Sequence, residues 1–171
     1  KVSIEKGLQL KPAFDKDGTV TAFNASKIND GAAALVLMSK EKADELGIKP
    51  IAKIISQICF AQKPEWFTTA PGFAIINILK KAGLKLEDID LFEANEAFSV
   101  QCLAVNKVAG LDPSKVNVNG GAIALGHPIG ASGARILTTL LYAMKNRNAK
   151  RGLATLCIGG GEASAVIVEK L

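Results

Sequence analysis

Two apolar runs near the C-terminus, LATLCIG and SAVIVEKL, are joined through Gly159-Gly160-Gly161, and this spacing predicts two strands connected by a glycine turn. Upstream, extended and helical patterns alternate. IAKIISQICF reads as extended. A helix is expected to open near Pro71, with Phe73, Ile75, Ile76 and Leu79 on one side and Gly83 after it. DLFE reads as a short strand, and Asn95 stands where an N-cap belongs for EAFSVQCLAVNKVAG, whose nearly all-round apolar surface predicts a central helix ended by Gly110. VNVN reads as a further strand. It leads into a glycine-rich loop, Gly120 to Gly130, and a helix carrying Ile136, Leu137, Leu140, Leu141 and Met144 on one face. The alternation implies α/β layers.

Residues 1–26 read as loop with short extended pieces around the turn Asp15-Lys16-Asp17-Gly18, and contribute little core. The continuous apolar run AAALVLMS suits a strand covered on both faces. Ser39 caps a short helix, KEKADEL, which Gly47 closes and Pro50 keeps from resuming. The natural boundary is therefore the Gly47–Pro50 loop, dividing the chain into 1–49 and 50–171.

Composition narrows the function classes. With 49% hydrophobic and 22% charged residues, the 171-residue chain is globular rather than disordered or collagenous. Its net charge of +5 is scattered and accompanied by no helix-turn-helix, zinc-finger or RNP pattern, so no nucleic-acid partner is expected. Three cysteines without a CxxC pair suggest neither a disulfide framework nor a zinc site; a reducing, cytoplasmic setting is expected, with Cys59 and Cys102 in the core. No run reaches the roughly 20 apolar residues of a membrane helix, and KVSIEKGLQL is no signal peptide, so no membrane partner is expected. The glycine loops match neither GxxxxGK[ST] nor a GxGxxG between strand and helix, which disfavours nucleotide triphosphate chemistry.

Three places can carry chemistry. His127, the single histidine, is flanked by Gly126 and Pro128 close to a helix start. It is either a structural histidine or a base that deprotonates a thiol and hydrogen-bonds a developing oxyanion. Cys157 ends a strand beside three glycines, and is either a small core residue or a nucleophile or proton shuttle next to bared N–H groups. Asn95 either caps its helix or holds a water or a carbonyl; Glu96 adds negative charge to the first turn.

Together Asn95-Glu96-Ala97-Phe98, Asn119-Gly120-Gly121 through Gly126-His127-Pro128-Ile129-Gly130-Ala131-Ser132-Gly133, and Cys157-Ile158-Gly159-Gly160-Gly161 resemble, in order and spacing, the thiolase family, with a match close to its acetyl-CoA acetyltransferase branch. The resemblance extends to TVTAFNASKINDGAAALVLMS. It implies the C-terminal half of a layered thiolase fold, a mixed sheet with helices on both faces. Residues 50–171 would form the C-terminal domain, and residues 1–49 the tail of a loop domain with the last strand and helix of the N-terminal domain. The implied activity is Claisen condensation of two acetyl-CoA molecules or thiolysis of acetoacetyl-CoA, with the CoA thioester as substrate and no separate cofactor or metal. By the same resemblance His127 activates the acyl-accepting cysteine and helps hold the thioester oxygen, while Cys157 is the second acid/base. Asn95 positions a water in the first oxyanion hole, the Gly159 N–H serves the second, and Ala97 and Phe98 line the acyl pocket.

The chain departs from the family pattern at Phe23, at Glu162-Ala163 and in QKPEWFTTAPGFAI. A carboxylate at Glu162 is expected to raise a nearby thiol by like-charge repulsion. None of Cys59, Cys102 and Cys157 stands in the nucleophile's motif. An N-terminal half is therefore the expected partner, within a homo-oligomer, dimeric or tetrameric, and AAALVLMS without that half would be left with an unpaired edge. The alternative is an inactive remnant that serves only as a folded binding or interaction module.

Overall fold

The computed structural model describes residues 3–171. Ser3 accepts the Lys6 N–H and caps a single turn, α1 (Ile4–Gly7), within the stretch expected to be loop. Ser39 caps α2 (Lys40–Glu45) in the same way, and Gly47 follows at φ 64°. Between them residues 32–39 form no strand. Val36 is 86% exposed and Leu37 66% exposed. The expected doubly covered strand is not formed, because no other segment offers it a hydrogen-bonding edge or an apolar face.

The sheet contains β1 (Ala52–Ala61), β2 (Leu91–Ala94), β3 (Arg151–Ile158) and β4 (Glu162–Lys170) in the order β1-β4-β3-β2. β4 is antiparallel to both neighbours, and β2 is parallel to β3, so the sheet is mixed. Two helices lie on one face: α3 (Ala70–Ala82), closed by Gly83 at φ 65°, and α4 (Ser99–Ala109), closed by Gly110 at φ 68°. They approach closely at Gly72, where a Cβ would meet Val108 at 2.8 Å. Ile75, Ile78, Val105, Phe92, Leu153, Ala165 and Ile167 fill this layer. After a four-residue turn of helix, α5 (Ala122–Leu125), the long α6 (Ser132–Asn146) covers the opposite face through Ile136, Leu140, Ala143 and Met144. The layered α/β expectation holds. No helix among the described residues is long and apolar enough to cross a membrane.

Several local readings are corrected. α3 buries Ala74, Ile75, Ile78 and Leu79, whereas Phe73 and Ile76 point outward, Phe73 stacking on Phe60 of β1. VNVN makes isolated bridges only, one of them between Val116 and Phe92. α4 is not central, since it buries Gln101 and Val105 while Leu103 is 69% exposed. Cys59 is exposed because β1 is an edge strand with one face open, and Cys102 is half-buried.

Candidate active site

The two parallel strands end side by side, and the candidate residues gather at their C-terminal ends, where open α/β sheets place ligands. Asn95 follows β2 directly. Its N–H donates to the Thr155 carbonyl of β3 at 2.9 Å, and its side chain is buried. It does not cap α4, which starts four residues later with Phe98 at the N-cap. Instead its Nδ2 lies 3.3 Å from Nε2 of His127, and its Oδ1 is buried without a protein partner.

His127 sits in the loop between α5 and α6. Gly126 holds φ 98° while packed against the Asn29 side chain, a conformation and a closeness that both exclude a Cβ. The His127 N–H donates to the Lys27 carbonyl at 2.8 Å. Its Nδ1 lies 2.6 Å from Oγ of Ser132, the first residue of α6, and that hydroxyl donates to the Pro128 carbonyl at 3.0 Å. Burial, and then the Arg135 charge, hold the imidazole below its ordinary value, so it is neutral at pH 7.

Cys157 lies on β3, two residues beyond Thr155, on the sheet face covered by α3 and α4. Burial pushes its thiol up, so it is a protonated thiol at rest rather than a low-pKa one exposed at a strand end. Glu162 is not the cause. It pairs with Ile158, whereas Cys157 pairs with Ala163, and residues paired across strands share a face, so the carboxylate lies on the other side. Cys102 on α4 is pushed up to about 12, first by burial and then by the neighbouring Glu96 and Cys157. Gly159 stands at the exposed turn between β3 and β4 with open space on its Cβ side.

Glu96 accepts from Asn117 Nδ2 at 3.2 Å and from the Ile123 N–H at 3.0 Å, so it ties the glycine loop to β2 rather than charging the first turn of α4. Ala97 is buried, its N–H donating to Gln101 Oε1, and the Phe98 ring meets Phe14 edge-on at 5.9 Å. Residues 24–28 strap the two loops together. The Ser99 N–H donates to Asn24, the Ser26 N–H and Oγ both donate to the Ala97 carbonyl, and Ala25 and Ile28 form bridges with Phe98 and His127. Beneath the site, Glu93 on the α6 face of β2 is 2% exposed and lies 3.7 Å from Arg135; burial outweighs that partner and raises its carboxyl to about 7. Ser132, Arg135 and Glu93 were not singled out from sequence. A carboxylate inside the apolar strand DLFE was the one available signal. No group of three or more His, Cys, Asp or Glu side chains among the described residues is arranged to hold a metal ion.

Comparison with known proteins places this geometry in context. Residues 48–170 match the family model described as the thiolase C-terminal domain, and residues 1–41 match the thiolase N-terminal domain. An acetyl-CoA acetyltransferase of Thiocystis violacea is 59% identical over 163 residues, covering 95% of this chain and 41% of that protein. A crystal structure of the Bacillus anthracis acetyl-CoA acetyltransferase superposes with a TM-score of 0.96 at 50% identity, covering 99% of this chain and 43% of that one. Human mitochondrial 3-ketoacyl-CoA thiolase, solved in complex with CoA, superposes with a TM-score of 0.93 at 43% identity, covering 100% and 43%. The chain thus spans about two fifths of the length of the relatives it matches.

Proposed function

The chain belongs to the thiolase family, and from that premise we propose that it is the C-terminal portion of an acyl-CoA C-acetyltransferase. This portion condenses two acetyl-CoA molecules, or cleaves acetoacetyl-CoA with CoA, when an N-terminal half supplies the acyl-accepting cysteine. In this reading residues 50–171 are the C-terminal thiolase domain, residues 1–49 belong to the loop and N-terminal domains, and the complete enzyme is a homo-oligomer that needs no cofactor beyond its CoA thioesters.

The observation that carries the reading is the contact between the Asn95 amide and His127 Nε2, at the strand ends where Cys157 also stands. Nε2 takes the thiol proton of the acyl-accepting cysteine, and the resulting imidazolium donates to the thioester oxygen. The buried Asn95 Oδ1 suits a water that shares this oxyanion site. Cys157 exchanges a proton with the α-carbon, and a thiol held protonated at rest suits the return of a proton to that carbon in thiolysis. The Gly159 N–H serves the second oxyanion, and Ala97 and Phe98 border the acyl chain.

The test is acetoacetyl-CoA thiolysis by this chain, alone and after co-folding with an N-terminal thiolase half. No turnover alone and CoA-dependent turnover in the mixture are expected. Family-like turnover by the chain alone refutes the need for a second half. A stable but inert mixed complex supports instead a folded binding module.

A further inference from the structure

The side chain of Ser132 has one proton to give, and the geometry assigns it to Pro128. Oγ lies 3.0 Å from the carbonyl four residues back, the usual acceptor for a serine in the first turn of a helix. The same Oγ is 2.6 Å from Nδ1 of His127, and Ser132 is fully buried. That carbonyl also accepts the Ala131 and Ser132 N–H groups at 2.7 and 2.8 Å; with the hydroxyl donating to it as well, Oγ accepts from its second neighbour, and the short contact places a hydrogen on Nδ1.

We propose that Ser132 is a positioning residue that fixes His127 in the Nδ1–H tautomer and leaves the Nε2 lone pair directed at the reaction site. The other ring contact agrees. Nε2 meets the Asn95 amide nitrogen, which carries only donors, at 3.3 Å, and a lone pair there is the complement it needs. The ring is thus held at both nitrogens, and the chain of donors runs in one direction, from Asn95 to Nε2 and from Nδ1 through Ser132 to the Pro128 carbonyl.

The chemical consequence rests on the thiolase reading, although the tautomer does not. In that reaction the sulfur–hydrogen bond of the acyl-accepting cysteine breaks, its electron pair stays on sulfur, and the proton forms a new bond to Nε2. The other tautomer has no lone pair at that position. After the transfer both ring nitrogens carry hydrogen, Nδ1–H still faces Ser132, and the new Nε2–H is the donor an oxyanion requires. Once protonated, Nε2 no longer accepts from the Asn95 amide, so the change from base to donor opens that 3.3 Å contact while Nδ1–H keeps its bond to Ser132.

Because His127 is the chain's single histidine, the tautomer can be read directly. Long-range proton–nitrogen correlation spectra of the 171-residue chain with ¹⁵N-labelled imidazole, recorded at pH 8, report which ring nitrogen carries the hydrogen. An excess of Nδ1–H of about twofold or more is expected, the effect of one neutral hydrogen bond set against the opposite preference of the free side chain. Ser132→Ala is expected to invert the ratio toward Nε2–H, the tautomer that free imidazole side chains prefer, and Ser132→Thr to restore it. Backbone amide spectra show whether each variant is folded. An Nε2–H tautomer in the unsubstituted chain overturns the proposal, even if Ser132→Ala does not fold. An unchanged ratio in a folded Ser132→Ala chain does the same. Failure of the reconstituted thiolysis leaves this readout standing, so the two proposals fail separately.

Discussion

Residues 50–171 and residues 3–49 each contain long apolar runs, and they fare differently. The first set buries Ile75, Ile78, Leu140, Leu153 and Ile167 completely between sheet and helices. In the second, only Gly7 and Ala43 are buried, and Val36, Leu37 and Met38 stay exposed although their run is as apolar as β4. The difference is one of partners. β4 has a strand on each side and a helix over each face, whereas residues 32–39 have neither. Apolar character creates a demand for burial that a segment cannot meet by itself. Residues 3–49 are joined to the two candidate-site loops instead by a short series of hydrogen bonds from 24–28 and by the Phe14–Phe98 contact.

The contrast breaks most readily in the core. Leu140→Ala is expected to lower unfolding stability by about 3 kcal/mol, measured by denaturant titration, because a fully buried leucine leaves a cavity between α6 and β3. A loss below about 1 kcal/mol would mean that this layer is no better packed than the N-terminal stretch. The buried carboxyl of Glu93 supplies the next effect. Its value in the folded chain, about 7, lies above the ordinary 4.5, so its contribution is fully present below pH 4.5 and is lost as pH rises through about 7. A fall of roughly 2–3 kcal/mol across that window is expected, and Glu93→Gln should flatten it. His127, held below its ordinary value, works in the opposite sense, withdrawing stability as pH falls. The Glu93 effect is therefore read as the difference between the two chains at each pH.

Smaller changes sharpen the comparison at the strap. Gly126→Ala forces a Cβ into the Asn29 side chain at φ 98° and is expected to cost about 2 kcal/mol, with loss of the His127–Asn95 contact visible in the imidazole spectrum. Ser26→Ala removes the hydroxyl bond to the Ala97 carbonyl and is expected to cost about 1 kcal/mol. Val36→Ser, in the solvent-facing run, should change stability by less than about 0.5 kcal/mol in the same titration. A larger loss at Val36 than at Ser26 would reverse the account of what secures the N-terminal segment.

Legibility from sequence followed the same division. α6 and the β3–β4 pair could be read residue by residue because period and turn chemistry agree there with the tertiary fold. The face of α3 could not. Its continuous apolar letters left the register open, and the small residues Ala70 and Ala74 take the buried side while Phe73 turns to Phe60. Asn95 has the local signature of a cap, but a hydrogen bond to a residue 32 positions away claims its side chain. AAALVLMS shows the composition of a strand, yet composition carries no statement about neighbours. His127 and Cys157 were legible as candidates because their glycine settings are unusual, and Asn95 because it stands between a strand pattern and a helix pattern. Ser132 was not, because its role arises only when α6 begins and the imidazole arrives beside it. Glu93 could be placed in the short strand DLFE, but its partner Arg135 arrives only when α6 covers that face.

The five-residue strap has one further consequence. Lys27 and Asn24 grip loops that are far apart along the chain, and both are attached to the polypeptide leading upstream, so that a displacement at one end is delivered to the other. The imidazole loop is thereby tethered through its main chain to the segment that precedes Asn24, so its placement depends on polypeptide that lies outside the packed interior.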